Sequence, residues 1–338
     1  MDKTIICFNE NGKKILEKLN NAYRAAGIAP AKGYLFGGSG EDRAAGSTET
    51  LFKTDMPLAS FVKGEFEAGR AIIFIGAVGI AVRTISGCVN DKLTDSPVIV
   101  IDDAGTFVIP ILSGHAGGAN KLAATIAELI GAIPVITTST DVNSAFSADV
   151  FACENHLTIK NRDGIRKVSA KALEGKPVTI SIKDYPPKES VDIIIADETD
   201  REYSLLLSPK KYVIGVGMRK DKDVASVEEF ILSVLRDNSI DIGDVYALAT
   251  IDLKENEPAI RAFSQKYRIP VITFEASVLK RVEGDFSSSD FVRDMVGVDN
   301  VCERAAVLAA GPGSRLIVHK TVSSGITIAI AVKNARTN

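Results

Sequence analysis

VIVIDDAGTFVIPILSGHAGGANKLAATIAELIGAIPVI, residues Val98–Ile136, decides the fold. Val98–Ile101 and Phe107–Ile109 are short apolar runs separated by Asp102-Asp103-Ala104-Gly105, a composition that favours a turn. After Pro110–Ile111 the chain enters Ser-Gly-His-Ala-Gly-Gly-Ala-Asn, and Gly117–Ile130 then reads as a helix, with Gly131 as its stop and Ile133–Ile136 as the next strand. Apolar strands linked by helices imply a mostly parallel sheet covered on both faces.

The same grammar extends in both directions. Thr4–Phe8 reads as a strand and about Asn11–Ala26 as a helix whose Ile15, Leu16, Leu19 and Ala22 share one stripe. Ile72–Ile75 is a strand ending at Gly76, and Ala77–Ile85 is helix-like. Beyond Thr140, Ala148–His156 and Arg162–Leu173 read as helices, and Val178–Ile182 and Val191–Ile195 as strands flanking a loop, KDYPPKES. SPKK, Ser208–Lys211, reads as a linker into a fresh α/β unit. That unit has strands Tyr212–Val216, Val245–Thr250, Pro270–Phe274, Leu316–Val318 and Gly325–Val332. Its helices are Val224–Leu235, about Pro258–Tyr267, and Cys302–Ala310. The expectation is two α/β lobes, 1–138 and 211–338, joined through a smaller middle segment, 139–210.

Length and composition agree. At roughly 150 residues per domain, 338 residues suit two or three domains. Hydrophobic residues at 46% and charged residues at 25% are those of a globular chain rather than a disordered or coiled-coil one. The 40 Lys and Arg against 43 Asp and Glu give a formal net charge of −3, without a basic run, which disfavours a general nucleic-acid binder. The longest strongly apolar run, Ala71–Val82, is shorter than the ~18 residues of a membrane-spanning helix. No signal peptide is evident. Four scattered cysteines without a CxxC indicate neither a disulfide framework nor a zinc site, and a cytoplasmic protein is expected.

Several segments carry candidate chemistry. Gly114, Gly117 and Gly118 let backbone approach a ligand, and a helix start favours an anion. His115 stands at the carboxyl end of a strand, where open α/β sheets bind ligands, and an imidazole transfers protons near neutral pH. The alternative is a tight turn whose histidine bonds to backbone. Gly76 and Gly79 in FIGAVGIAVR offer amides, and Arg83 a fork-shaped cation for a carboxylate; ordinary helix–strand packing is the alternative. Asp102 and Asp103 read either as a carboxylate pair at the same edge or as solvated turn residues.

IGVGMR, Ile214–Arg219, repeats strand, glycine turn and arginine, and Thr250, Asp252 and Lys254 follow a neighbouring strand. Ser288 or Ser289 suits a helix cap, and Glu303 the first turn of an alanine-rich helix. His156 and His319 are read as structural. No paired-histidine metal spacing, GxSxG elbow or phosphate loop occurs. The candidate proton-transfer residues are thus His115 and Asp103. The candidate substrate contacts are Gly76, Gly79, Arg83, Ser113, Gly114, Gly117, Gly118, Asn120, Gly217, Arg219, Asp252 and Glu303.

IFIGAVGIAVR, DSPVIVIDDAGTFVIPILSGHAGGANKLA, YVIGVGMR, LATIDLKENEP, VGVDNVCERAAVLAAG and GITIAIA together resemble the cobalt-precorrin-5A hydrolases of the anaerobic cobalamin pathway. These segments span most of Ile72 to Ala331, and SGHxGGAN is the most specific of them. Ala116, Met218 and Arg304 depart from the family's usual residues. The resemblance implies opening of the δ-lactone of a ring-contracted cobalt corrinoid and release of acetaldehyde, giving cobalt-precorrin-5B. His115 is then the candidate base, and the amides of Gly117 and Gly118 candidate oxyanion donors. The substrate would bring its own cobalt, so no cofactor or protein-held metal is expected. A wide cleft between lobes would suit so broad a ligand, and transient contact with neighbouring methyltransferases is a further implication. A non-catalytic corrinoid carrier is the competing class.

Overall fold

The computed structural model describes residues 2–36, 50–52, 54–115, 117–182, 190–287 and 298–334. The cap expected at Ser288 or Ser289, Ala116, and residues 183–189 of the KDYPPKES loop lie outside them. Two compact units are formed, one by Met1–Val150 with Ala172–Lys176, the other by Phe151–Lys171 with Pro177–Asn338.

The first unit is built on a seven-stranded sheet with strands β1 (Lys3–Cys7), β2 (Lys32–Leu35), β3 (Leu51–Phe52), β4 (Ala71–Ile75), β5 (Val98–Ile101), β6 (Phe107–Leu112) and β7 (Ile133–Pro134), in the order β3-β2-β1-β4-β5-β6-β7. Alternate residues of a strand face opposite sides, and both sides here are apolar. Ile5, Cys7, Ile73, Ile75, Ile99 and Ile101 pack beneath the helices Glu10–Ala25 and Ala119–Ile130, against Leu16, Leu19, Ala123 and Ile126. Ile6, Ile72, Phe74, Val98 and Val100 pack on the other side against Phe61, Val62, Phe66, Ala81 and Ile85 of the helices Leu58–Glu67 and Val78–Ile85. Each fully buried Ile, Val or Phe contributes about 1.5–3 kcal/mol of transfer free energy.

One topological detail positions the site. Strands β1 to β5 are mutually parallel, so their carboxyl ends share one edge. Strand β6 runs back antiparallel to β5, pairing Val98 with Leu112 and Ile101 with Val108, and β7 follows β6. The segments after β6 and β7 therefore emerge at the opposite edge, beside the beginnings of β4 and β5.

The second unit contains two sheets. Strands β8 (Leu157–Ile159), β9 (Ile180–Ile182), β10 (Val191–Ile195) and β11 (Tyr203–Pro209) are ordered β8-β11-β10-β9, with only β8 antiparallel. The linker expected at Ser208–Lys211 is corrected: Ser208 and Pro209 end β11, and Leu205, Leu207 and Ser208 are buried. Only Lys210 and Lys211 separate β11 from the next strand, because three leucines in YSLLLSP supply a buried run that the terminal Ser-Pro disguises.

The other sheet has strands β12 (Tyr212–Met218), β13 (Val245–Ile251), β14 (Val271–Phe274), β15 (Arg315–Ser323) and β16 (Ile326–Val332), ordered β14-β13-β12-β16-β15. The helices Val224–Asp237 and Pro258–Tyr267 cover one face, and Cys302–Ala310 the other. The fold is thus mixed α/β with mostly parallel sheets, as expected. Among the described residues no helix is long and apolar enough to cross a membrane.

Candidate functional site

Strand β6 delivers the Gly-His turn to its carboxyl edge, and β7 delivers the helix Ser139–Val142 to the same edge. His115 meets that helix and the start of the helix Ala148–Glu154. Its Nε2 lies 2.7 Å from Oδ2 of Asp141 and 2.9 Å from Oγ1 of Thr140. Its Nδ1 lies 3.5 Å from Oγ of Ser147 and 3.6 Å from Oδ2 of Asp149. Asn120, buried in the first turn of its helix, donates to Asp141 Oδ2 at 2.7 Å and to Thr138 Oγ1 at 3.0 Å. The cluster has an inside and a mouth: the side chain of Asp149 is 8% exposed, that of His115 15%, and that of Asp141 39%.

The electrostatics follow from these contacts. The bond to Asp149 raises the His115 pKa, burial works against it, and the charge of Asp149 and the pairing with Asp141 add to the rise. Burial would raise the Asp149 pKa, but the bonds from His115 and Ser147 outweigh it and hold this carboxyl well below the usual range.

The glycines shape the loop more than they furnish donors. A Cβ on Gly117 would stand 2.3 Å from Cβ of Ser113 and 2.6 Å from its carbonyl oxygen, so any side chain there would push the turn apart. Ser113, with φ 55°, is anchored by its hydroxyl donating to the carbonyl of Asp95 at 2.7 Å. The amide of Gly118 donates to the carbonyl of His115, that of Ala119 to Ser113 and that of Asn120 to Gly114. Gly118, a candidate oxyanion donor, is therefore committed within the loop. The amide of Gly117 meets no acceptor among the described residues.

Asp103, expected at the same sheet edge as His115, is corrected to the opposite one. Asp103 lies in the β5–β6 turn, at the other end of β6, where its carboxylate accepts from Asn9 at 2.8 Å and from Asn11 at 3.3 Å. Gly76, whose amide donates to Ile101, sits at that edge also, ahead of the helix bearing Gly79 and Arg83. The guanidinium of Arg83 folds back over Gly79. The sequence shows strand ends but not strand directions, and a hairpin between β5 and β6 reverses the edge. Asp103→Asn is accordingly expected to cost far less turnover than replacement of His115, measured as product release at saturating substrate.

In the second unit, Arg219 and Asp252 follow directly on β12 and β13, as placed from the sequence, whereas Gly217, read as part of a turn after the strand, lies within β12 and pairs with Thr327. Thr327 donates its hydroxyl to the carbonyl of Gly217, the Arg219 amide donates to Gly325, and Asp252 is exposed. Thr250 is buried and donates to the carbonyl of Val216.

Glu303 requires correction as a substrate contact, being 0% exposed. Its Oε2 accepts from the amide and hydroxyl of Ser287 at 2.8 and 2.9 Å and from Asn300, and its Oε1 from the Lys320 amide at 2.8 Å and His319 at 3.3 Å. Burial would raise its pKa, yet these bonds lower it, and the carboxylate ties the helix Cys302–Ala310 to β15. His156, after the end of its helix, packs edge-on against Tyr246 at 5.3 Å.

Asp141, Asp149, Thr140 and Ser147 were not singled out from the sequence. The available signal was the density of Ser, Thr, Asn and Asp between Thr137 and Asp149, shortly after β7, on the far side of the sheet's reversal. Together these features define a mixed α/β protein with a partly exposed histidine–carboxylate acid–base cluster.

Comparison with known proteins narrows this class. The family model "Cobalamin synthesis G N-terminal" matches residues 60–141, and "Cobalamin synthesis G C-terminus" matches residues 212–331. Cobalt-precorrin-5A hydrolase of Salmonella typhimurium is 32% identical over 310 residues, covering 84% of this chain and 88% of that protein. A probable cobalt-precorrin-5A hydrolase of Methanocaldococcus jannaschii is 30% identical over 293 residues, covering 82% and 90%. The solved structure of a putative cobalamin biosynthesis protein G homolog from Sulfolobus solfataricus aligns over 98% of this chain and 97% of its own, at 21% identity and a TM-score of 0.41. The chain belongs to the cobalt-precorrin-5A hydrolase family.

Proposed function

We propose that the protein hydrolyses the δ-lactone of cobalt-precorrin-5A and releases acetaldehyde, giving cobalt-precorrin-5B. The observation that carries this reading is similarity to cobalt-precorrin-5A hydrolases over more than four-fifths of the chain. The cluster supports it: His115, Asn120 and Asp141 all fall within the matched residues 60–141.

Lactone opening joins a water oxygen to the acyl carbon and breaks the ring C–O bond. One group must take the water's proton and another must supply one to the departing oxygen. The His115–Asp141 pair offers both capacities at one exposed point. Loss of acetaldehyde then follows a retro-aldol course, in which a hydroxyl loses its proton, a C–C bond breaks, and the carbon left behind is protonated.

The Gly117 amide is assigned to the developing oxyanion. The corrinoid substrate brings its own cobalt. Location in the cytoplasm and hand-over to neighbouring methyltransferases belong to the same reading, and four cysteines without a disulfide support a reducing compartment.

Purified protein given cobalt-precorrin-5A under anaerobic conditions is expected to yield acetaldehyde stoichiometrically. Tight binding of the corrinoid with no aldehyde formed would replace this reading by that of a carrier.

A further inference from the structure

We propose that His115 acts as an imidazolium acid and Asp141 as the base, with Asp149 the positioning residue that fixes this division of labour. The proposal rests on the hydrolase reading and reverses the role of base that the sequence suggests for the histidine.

Hydrogen-bond accounting carries the argument. Ser147 donates its hydroxyl hydrogen to Oδ1 of Asp149, so toward His115 its oxygen can only accept. Nδ1 faces that oxygen and Oδ2 of Asp149, two acceptors, and therefore carries a hydrogen. Nε2 faces Oδ2 of Asp141 at 2.7 Å, a carboxylate oxygen that can only accept, and carries a hydrogen as well; the Thr140 hydroxyl, 2.9 Å from Nε2, then serves it as a second acceptor rather than as a donor. An imidazole with hydrogens on both nitrogens is charged and has no lone pair for a base.

The two carboxylates are not equivalent. Asp149 is buried, and its Oδ1 also accepts from the amide of Val150, so both of its oxygens are committed. Asp141 is 39% exposed, and only its Oδ2 accepts bonds among the described residues, from His115 and Asn120. Its Oδ1 is left to take a proton from water.

In the step that follows, the water oxygen bonds to the lactone carbon and its proton passes to Asp141. The ring C–O bond breaks, and the Nε2 proton of His115 goes to the leaving oxygen. The proton held by Asp141 then returns to Nε2, and the net change is addition of one water. The charged groups facing the imidazole are Asp141 on the helix Ser139–Val142 and Asp149 on the helix Ala148–Glu154. Lys92, ahead of β5, acts on Asp149.

The test follows the ring protons of His115 by NMR across pH, assigned with His115→Gln among only three histidines, beside the pH profile of acetaldehyde release. In the unmodified protein His115 should remain charged above neutral pH, and the alkaline limb of kcat should match its titration. Asp149→Asn should lower the His115 titration and move the alkaline limb to lower pH with KM little changed, while Asp149→Glu restores part of both. Asp141→Asn should lower kcat on the order of 10²-fold or more across the profile, as loss of a general base does. The titration of the unmodified protein decides the charge state even if a variant fails to fold. Acetaldehyde release by protein whose His115 is neutral at pH 7 would overturn the proposal alone. A charged His115 without any acetaldehyde would overturn it together with the function on which it rests.

Discussion

Replacement of His115 by alanine is expected to lower acetaldehyde release on the order of 10³-fold, the scale of a lost proton-transfer group, while corrinoid affinity stays nearly unchanged. The asymmetry has a structural cause. The imidazole touches Asp141, Asp149, Thr140 and Ser147, none of which is among the candidate substrate contacts. Its removal deletes the proton donor and leaves two carboxylates near one another without their cation.

The same variant carries a stability signature with a definite sign. The His115 pKa is raised by folding, so its contribution is complete below the unfolded value of about 6.5 and fades as pH rises through the folded value. The gap in stability between the unmodified protein and the variant should therefore narrow as pH climbs above neutral. Turnover by His115→Ala at the normal rate, measured alongside equilibrium binding, would remove this residue from the chemistry.

The second large effect is expected in the second unit. Gly215 lies in β12 under the helix Cys302–Ala310, and a Cβ there would sit 1.8 Å from the carbonyl oxygen of Cys302 and 2.9 Å from Cβ of Ala306. Backbone cannot swing aside as a side chain can, and the Glu303 hydrogen bonds anchor the helix to β15. Gly215→Ala should cost about 3 kcal/mol or more, at or above the upper range of overpacking penalties. For a unit of this size that lowers the melting temperature by roughly 6–12 °C. Thermal unfolding followed by circular dichroism checks it, and an unaltered melt would mean that helix and strand separate at little cost.

What could be read without coordinates was whatever a local pattern encodes. The strands Ile72–Ile75 and Val98–Ile101 announce themselves as apolar runs with glycine or aspartate at their ends. The helix Cys302–Ala310 was placed to the residue because alanine-rich periodicity follows a turn. His115 was legible as a candidate because a lone imidazole among glycines after a strand is a chemical oddity in the sequence itself. The strands β2, β3 and β8 were not identified, being only two to four residues long with weak apolar signals.

Relations between distant segments are another matter. That β6 turns back on β5 is a property of pairing, and it moves His115 to the edge opposite Asp103 although only eleven residues separate them. That Asp141 and Asp149 converge on one imidazole depends on β7 following β6, and that Glu303 is wholly enclosed depends on where β15 crosses. Periodicity and composition thus determined which elements form and that the protein is α/β, since those preferences act over a few residues. Which charged groups meet, and so whether the histidine takes or gives a proton, was decided only by tertiary structure, since Coulombic and hydrogen-bond energies depend on distance in space rather than along the chain.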